Sequence, residues 1–297
     1  MNGIFTVDVE DWFHVLDTPV APELAEWDRF ESRIERGLRT MLELFGELGI
    51  KATLFWLGWA AERHRGLVAE CHAAGHEIAS HGHAHVLTYA VGREGFRDDV
   101  RKAKAILEDI IGVAVAGYRA PGFSITAQTP WAFEVLAEAG YRYDASVFPV
   151  RRGHGGMPGA PRAPHVVRTR HGLLDEVAVT TVKLGPVRLP LFGGGYLRLA
   201  PAWLLRWGVQ RVRREGLPLV VYIHPREIDP HHPRLVLPVH RRFKCYYNLR
   251  TTRRKLSLLG QQLPSCMTMH EWLANQSRVR PVVFPESERV AGSKESI

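Results

Sequence analysis

Hydrophobic and polar positions change their period again and again along this chain. Residues 4–10 (Ile-Phe-Thr-Val-Asp-Val-Glu) alternate as a strand does and end in acids. Over 31–48, Ile34, Leu38, Met41, Leu42, Phe45 and Leu48 follow the helical period, and Gly49 supplies a stop. Residues 51–57 read as a strand, 66–74 as a helix capped by Gly75, and 77–79 as a short strand running into Ser80-His81. The alternation continues with a helix over 94–111, a strand at 117–119, a helix over 129–139 and a strand around Tyr143. Strand-helix alternation of this kind predicts parallel βαβ units, and so an α/β layer or barrel.

Residues 150–195 break the pattern, being rich in Gly, Pro and Arg with short β-like pieces over 174–182, and read as an excursion over one face. Regularity returns with a helix over 201–215, which has Pro in its first turn, and an apolar strand over 219–223 that ends at His224. The expected organisation is a barrel over 1–238, a basic and aromatic C-terminal extension over 239–277 with helices at 251–259 and 269–274, and a polar, frayed tail over 278–297.

A hydrophobic fraction of 45% in 297 residues leaves material for one large core and excludes global disorder. No run approaches the roughly 20 apolar residues of a membrane span, and no basic start leads into an apolar stretch, which predicts a cytoplasmic chain. Cys71, Cys245 and Cys266 lack the spacing of a structural zinc site or a disulfide framework. The net charge of +8 favours acidic partners, but it is concentrated in 151–170 and 241–254 and reads first as solvated surface; no nucleic-acid partner is expected. Gly193-Gly194-Gly195 lacks the Lys-Ser/Thr of a phosphate loop.

Four clusters fall where predicted strands end, and in parallel α/β folds those ends converge on one rim. In Ser80-His81-Gly82-His83-Ala84-His85, a helical or tight turn would let His81 and His85, at i and i+4, grip one metal while His83 faces elsewhere. Asp8, Glu10 and Asp11 can add an oxygen ligand, and Asp8 and Glu10 share a strand face, so one acid could bind metal while the other takes a proton from water. Arg119, fixed before Pro121 and Gly122, can hold a catalytic carboxylate through a bidentate pair, with Asp144 orienting that arginine or a histidine. His224 has the pKa range to protonate a leaving amine. Together these groups make a set for amide hydrolysis. Trp12, Phe13, Phe55, Trp56, Phe123 and Tyr196 could stack on sugar faces, although packing suits most of them.

These clusters resemble the motifs of the polysaccharide deacetylase (NodB-homology) family, in the family's order over 4–228. The resemblance implies a distorted, incomplete (β/α) barrel with a divalent metal, commonly zinc. It implies that Asp8 is the base activating a metal-bound water, and that Glu10, His81 and His85 bind the metal, with Asp11 as the alternative to Glu10. Arg119 with Pro121, Asp144 with Ser146, and His224 as general acid match the later motifs. Asp8-Val9-Glu10-Asp11-Trp12-Phe13, the segment 223–229 and the Tyr246-Tyr247-Asn248-Leu249 ending resemble the branch found beside exosortase and exopolysaccharide genes. The implied activity is removal of N-acetyl groups from an N-acetylated glycan, with Trp12, Pro121, Phe123 and Tyr196 as substrate contacts. Two other readings compete: a metal amidohydrolase of a small cyclic amide or ureide, and a carbohydrate-binding relative without turnover.

Overall fold

The computed structural model describes residues 1–16, 18, 20–276 and 281–282. Its first half alternates as the periodicity predicts: β1 (Gly3–Val9), α1 (Ile34–Glu47), β2 (Thr53–Trp56), α2 (Gly58–Arg63), α3 (Arg65–Ala73), β3 (Glu77–Ser80), α4 (Thr88–Ile111), β4 (Gly117–Tyr118), α5 (Trp131–Glu138) and β5 (Tyr143–Asp144). Then come β6 (His165–Thr169), β7 (Gly172–Glu176), β8 (Val182–Leu184), β9 (Val187–Leu189), α6 (Gly194–Leu199), α7 (Ala202–Arg214), β10 (Leu219–Ile223) and α8 (Pro225–Ile228). The C-terminal part adds α9 (Val239–Tyr246), α10 (Thr252–Gly260), α11 (Met269–Ala274) and β11 (Pro281–Val282). Apart from Pro281 and Val282, the segment 278–297 that the sequence marks as a tail lies outside the described residues.

Nine strands form one sheet in the order β10-β1-β2-β3-β4-β5-β7-β6-β11. From β10 to β7 every neighbour is parallel; only β6 against β7 is antiparallel. The sheet curls without closing, which gives an incomplete (β/α) barrel. All of β1 is buried, and its alternation divides two environments. Phe5, Val7 and Val9 join the larger core beneath the helices, whereas Ile4 meets Phe55, Ala79, Tyr143 and Val220 inside the barrel. Met269 and Trp272 of α11 pack into that inner cluster and plug the barrel base. Glu77 ties this base together, its carboxylate accepting from Tyr143 Oη (2.6 Å), Thr53 Oγ1 (2.7 Å) and the His270 amide (3.0 Å).

Register then sets the opposite rim. Val9 pairs with Trp56, Trp56 with Ser80, Ser80 with Tyr118 and Tyr118 with Asp144, while Val7 pairs with Ile223. The residues that leave these strand ends, Glu10, His81, Arg119 and His224, are thereby brought to one level.

Several elements differ from the periodicity, among them α6 and α8, short helices that it does not mark. α2 is extra: its Gly58, Trp59, Ala60 and Ala61 are all buried, so no polar face marks it as a helix. α9 has no buried residue and therefore no core stripe. α4 starts at Thr88, earlier than expected, and bends at Gly92, whose φ of +67° interrupts the helical pattern read from the sequence.

Candidate active site and metal centre

Strand β1 ends by delivering Glu10, and the bend after β3 delivers His81 and His85. The bend is not helical; Gly82 (φ +75°) and His85 (φ +51°) take left-handed backbone. Gly82 is required there, because a Cβ would fall 2.5 Å from Asp99 Oδ2. Asp99 of α4 holds the bend, its carboxylate accepting from the His83 and Ala84 amides at 2.9 Å each. Ser80 Oγ accepts from the Gly82 amide. His83 turns away from the cluster, its Nδ1 lying toward Gly58.

Glu10, His81 and His85, all buried, each offer one ligand atom, and the three atoms lie within 4.8 Å of one another. Glu10 Oε2 is 2.5 Å from His85 Nε2 and 4.0 Å from His81 Nε2. His81 Nδ1 lies 2.7 Å from the Arg119 carbonyl, and a carbonyl can only accept. The ring proton is therefore on Nδ1 and the Nε2 lone pair faces Glu10, as a ligating imidazole requires. Burial, partly offset by Asp8, lowers the His81 pKa to about 4 and keeps the ring neutral. Burial would raise Glu10, but His85, Arg226 and His224 together hold it well below its ordinary value. Two imidazoles and a carboxylate form an N2O donor set that fits a catalytic zinc-type ion.

Of the two acids proposed as third ligand, the geometry gathers Glu10. Asp11 is committed elsewhere: its Oδ1 accepts from the Trp12 (2.9 Å) and Arg33 (3.0 Å) amides and pins the start of α1. Asp8 Oδ1 receives Nη1 of the fully buried Arg119 at 2.6 Å, and the same Nη1 reaches Thr6 Oγ1 at 2.7 Å. The pair is single-pronged rather than bidentate: Arg119 Nε goes to the Ala145 carbonyl (3.2 Å), and Nη2 has no hydrogen-bond partner among the described residues. Asp144 does not orient Arg119 directly. Its carboxylate accepts from Ser146 Oγ (2.5 Å) and the Ser146 amide (3.2 Å), and Ser146 Oγ accepts from the Ala120 amide (2.7 Å), so Asp144 fixes the backbone that follows the arginine. Behind it stands Glu176, whose carboxyl burial and the Asp144 charge push well above its ordinary value; it carries the proton of the pair.

His224 stands next to both acids, with Nε2 at 3.5 Å from Glu10 Oε1 and 3.8 Å from Asp8 Oδ2. Its Nδ1 contacts Glu227 Oε2 at 3.1 Å, and Glu227 Oε1 receives Arg198 Nε at 2.9 Å. Burial would raise Glu227, yet Arg198 and His224 hold its carboxyl at about 2. Burial would also lower His224, but Glu10 and Glu227 outweigh it and raise the imidazole, favouring the proton-carrying form.

A cleft of about 480 Å³ covers this rim, and Asp8, Glu10, His81, His85 and His224 line it. Phe123 and Tyr196 line it too, Tyr196 being 41% exposed. Trp12 and Pro121 do not. Trp12 is 6% exposed, packs edge-on against Phe13 and Phe30, and donates Nε1 to the Glu31 carbonyl; Pro121 is buried in the turn after Arg119.

Several groups escape the sequence reading. Glu227 had a readable signal, since it stands three residues after His224 at a Pro-started helix, the spacing of a capping box. His14, three residues after Asp11, lines the cleft, and its Nδ1 accepts the Asp11 amide (3.0 Å), so the neutral ring carries its proton on Nε2. Asp99, Glu176, Arg152, Arg198 and Arg226 carried no local signal.

Residues 29–143 match the family model "Polysaccharide deacetylase", and residues 145–274 match "Domain of unknown function (DUF3473)". A peptidoglycan deacetylase of Helicobacter pylori is 30% identical over 113 residues, a match spanning 38% of this chain and 38% of that protein's length. Among solved structures, a protein assigned as a polysaccharide deacetylase from Mycobacterium smegmatis superposes with a TM-score of 0.62 at 20% identity, covering 92% of this chain and 88% of that one. A mutant of a CE4-family pseudoenzyme from Bacillus anthracis, with restored enzymatic activity, gives a TM-score of 0.50 at 14% identity, covering 95% and 69%. The two structures agree with the curled sheet and speak for the fold; the two family models each assign the segment they match. Residues 29–143 thus carry a polysaccharide deacetylase domain, continued over 145–274 by a domain of unknown function in one curled sheet.

Proposed function

We propose that the chain is a metal-dependent hydrolase that removes N-acetyl groups from an N-acetylhexosamine-containing polysaccharide. The observation that carries this reading is the meeting of Glu10, His81 and His85 beside Asp8 and His224 on one rim. Glu10, His81 and His85 would hold a divalent ion, zinc by donor type, which supplies Lewis acidity toward the acetyl carbonyl. Asp8, kept in place by Arg119, takes a proton from the attacking water. The water oxygen adds to the carbonyl carbon, the carbon-nitrogen bond breaks, and His224 gives the departing amine its proton from Nε2. Glu227 accepts the other ring proton and holds that orientation, with Arg198 fixing Glu227 in turn. Tyr196, 41% exposed, offers a ring face to the sugar.

Acetate release from N-acetylglucosamine oligomers tests the proposal. Turnover should disappear on exhaustive chelation and return with added zinc. Undiminished turnover after chelation would remove the metal-dependent reading.

A further inference from the structure

The lining of the cleft divides sharply by sequence origin. Residues 29–143 contribute His81, His85, Gly122 and Phe123, with no arginine or lysine among them. All five arginine and lysine side chains on its wall, Arg152, Arg198, Arg226, Arg241 and Lys244, come from the region matching the domain of unknown function. Three carboxylates face them, and each is already engaged: Asp8 by Arg119, Glu227 by Arg198, and Glu10 by His85 and Arg226.

Positive charge is left over. Arg152 lies over Phe123 (5.1 Å) and Phe148 (4.6 Å), and its Nη1 is buried with no hydrogen-bond partner among the described residues. Arg226 gives Nη2 to Glu10 Oε1 at 3.1 Å, yet its Nη1 is likewise buried and unpartnered among them. Lys244, on an exposed face of α9, makes no ion pair among the described residues. Guanidinium N–H groups removed from water are costly without an acceptor, and a guanidinium packed against two rings with a buried N–H left over is pre-set for a charged oxygen partner. A neutral sugar offers only weak acceptors.

From this lining we infer that residues 145–274 build an oxyanion-binding wall, so that the substrate carries a carboxylate or a phosphate ester on a sugar next to the one whose acetyl group is removed. The inference rests on the deacetylase reading above and deepens it. Because Arg226 touches the outer oxygen of Glu10, the anion site adjoins the reaction centre and lies within the same bound oligosaccharide. The basic stretches along the chain thus supply part of a binding wall as well as solvated surface.

Calorimetric binding to the full chain compares three probes: an N-acetylglucosamine tetramer, a tetramer alternating N-acetylglucosamine with glucuronate, and an N-acetylglucosamine tetramer bearing a 6-phosphate. At least one anionic probe should bind about tenfold more tightly than the neutral one, and the advantage should shrink with salt. A preference for the glucuronate probe identifies a carboxylate as the source; a preference for the phosphate probe identifies a phosphate ester. Arg152→Gln should cut the preference to about threefold or less. Lys244→Gln, on an exposed helix, should weaken it with an unchanged melting temperature, which separates lost recognition from lost folding. Equal binding of all three probes overturns the inference. Acetate release from the same probes is scored separately: release without anion preference sinks this inference alone, whereas anion preference without release sinks only the deacetylase reading.

Discussion

Two imidazoles of the cleft each have one nitrogen committed to a partner that fixes what the other can do. His81 spends Nδ1 on the Arg119 carbonyl and keeps Nε2 for a ligand; His224 spends Nδ1 on Glu227 and turns Nε2 toward the two acids. The two histidines should therefore fail differently. His81→Ala is expected to lose bound metal, while His224→Ala keeps it and loses roughly 100- to 10,000-fold in kcat, the usual range for a proton-transfer group. Metal content by mass spectrometry beside the rate separates them, and equal metal loss in both would contradict the roles. Glu176 predicts a pH effect of defined sign. Its folded pKa lies well above the ordinary 4.5, so its contribution to stability is full below that value and is lost as pH rises through the raised value. Glu176→Gln should remove this dependence, so its urea midpoint should gain on the parent's as pH climbs above 4.5. A constant difference would show that Glu176 does not carry the proton.

At the scale of elements, the bend after β3 is held by a residue of α4 that no local pattern marks. Asp99→Ala releases the His83 and Ala84 amides and should weaken metal binding by about 10- to 100-fold with the fold intact, as loss of a supporting partner commonly does. Metal titration followed by circular dichroism checks both halves. The same bend shows what the sequence makes legible. His81, Arg119 and His224 could be read because each is chemically conspicuous and directly follows an apolar strand. Asp99 could not, because it lies on an ordinary amphipathic helix and its role exists only once α4 lies beside β3. Glu10 and Asp11 stood open for a related reason: only the packed start of α1 reveals that Asp11 is occupied by the Arg33 amide. Strands and amphipathic helices were readable from their periods, whereas α2, a single six-residue stretch whose first four residues are buried, and α9, with no fully buried residue, have no core stripe to read.

For the molecule as a whole, the last third of the chain serves both ends of the barrel. α11 plugs the base through Met269 and Trp272, while α9 and α6 wall the rim. Met269→Ala should cost about 2–5 kcal/mol in denaturant unfolding, the range for truncating a fully buried side chain. The rim is distant from this base, so metal affinity should stay unchanged; a parallel fall in both would show that the two ends are mechanically coupled. β1, which supplies Asp8 and Glu10, sits between β2 and β10, and the Gly3 amide and carbonyl are bonded to Ser265 and Met267. Such pairings join residues more than 200 positions apart, and closing loops of that length slows folding. During synthesis Asp8 and Glu10 therefore precede β10 by more than 200 residues, and the edge of β1 that β10 covers stays unpaired until that strand has left the ribosome. Over that interval the open edge is available to chaperones and to mispairing, and the rim that gathers Glu10, His81 and His224 is complete only after β10 has docked.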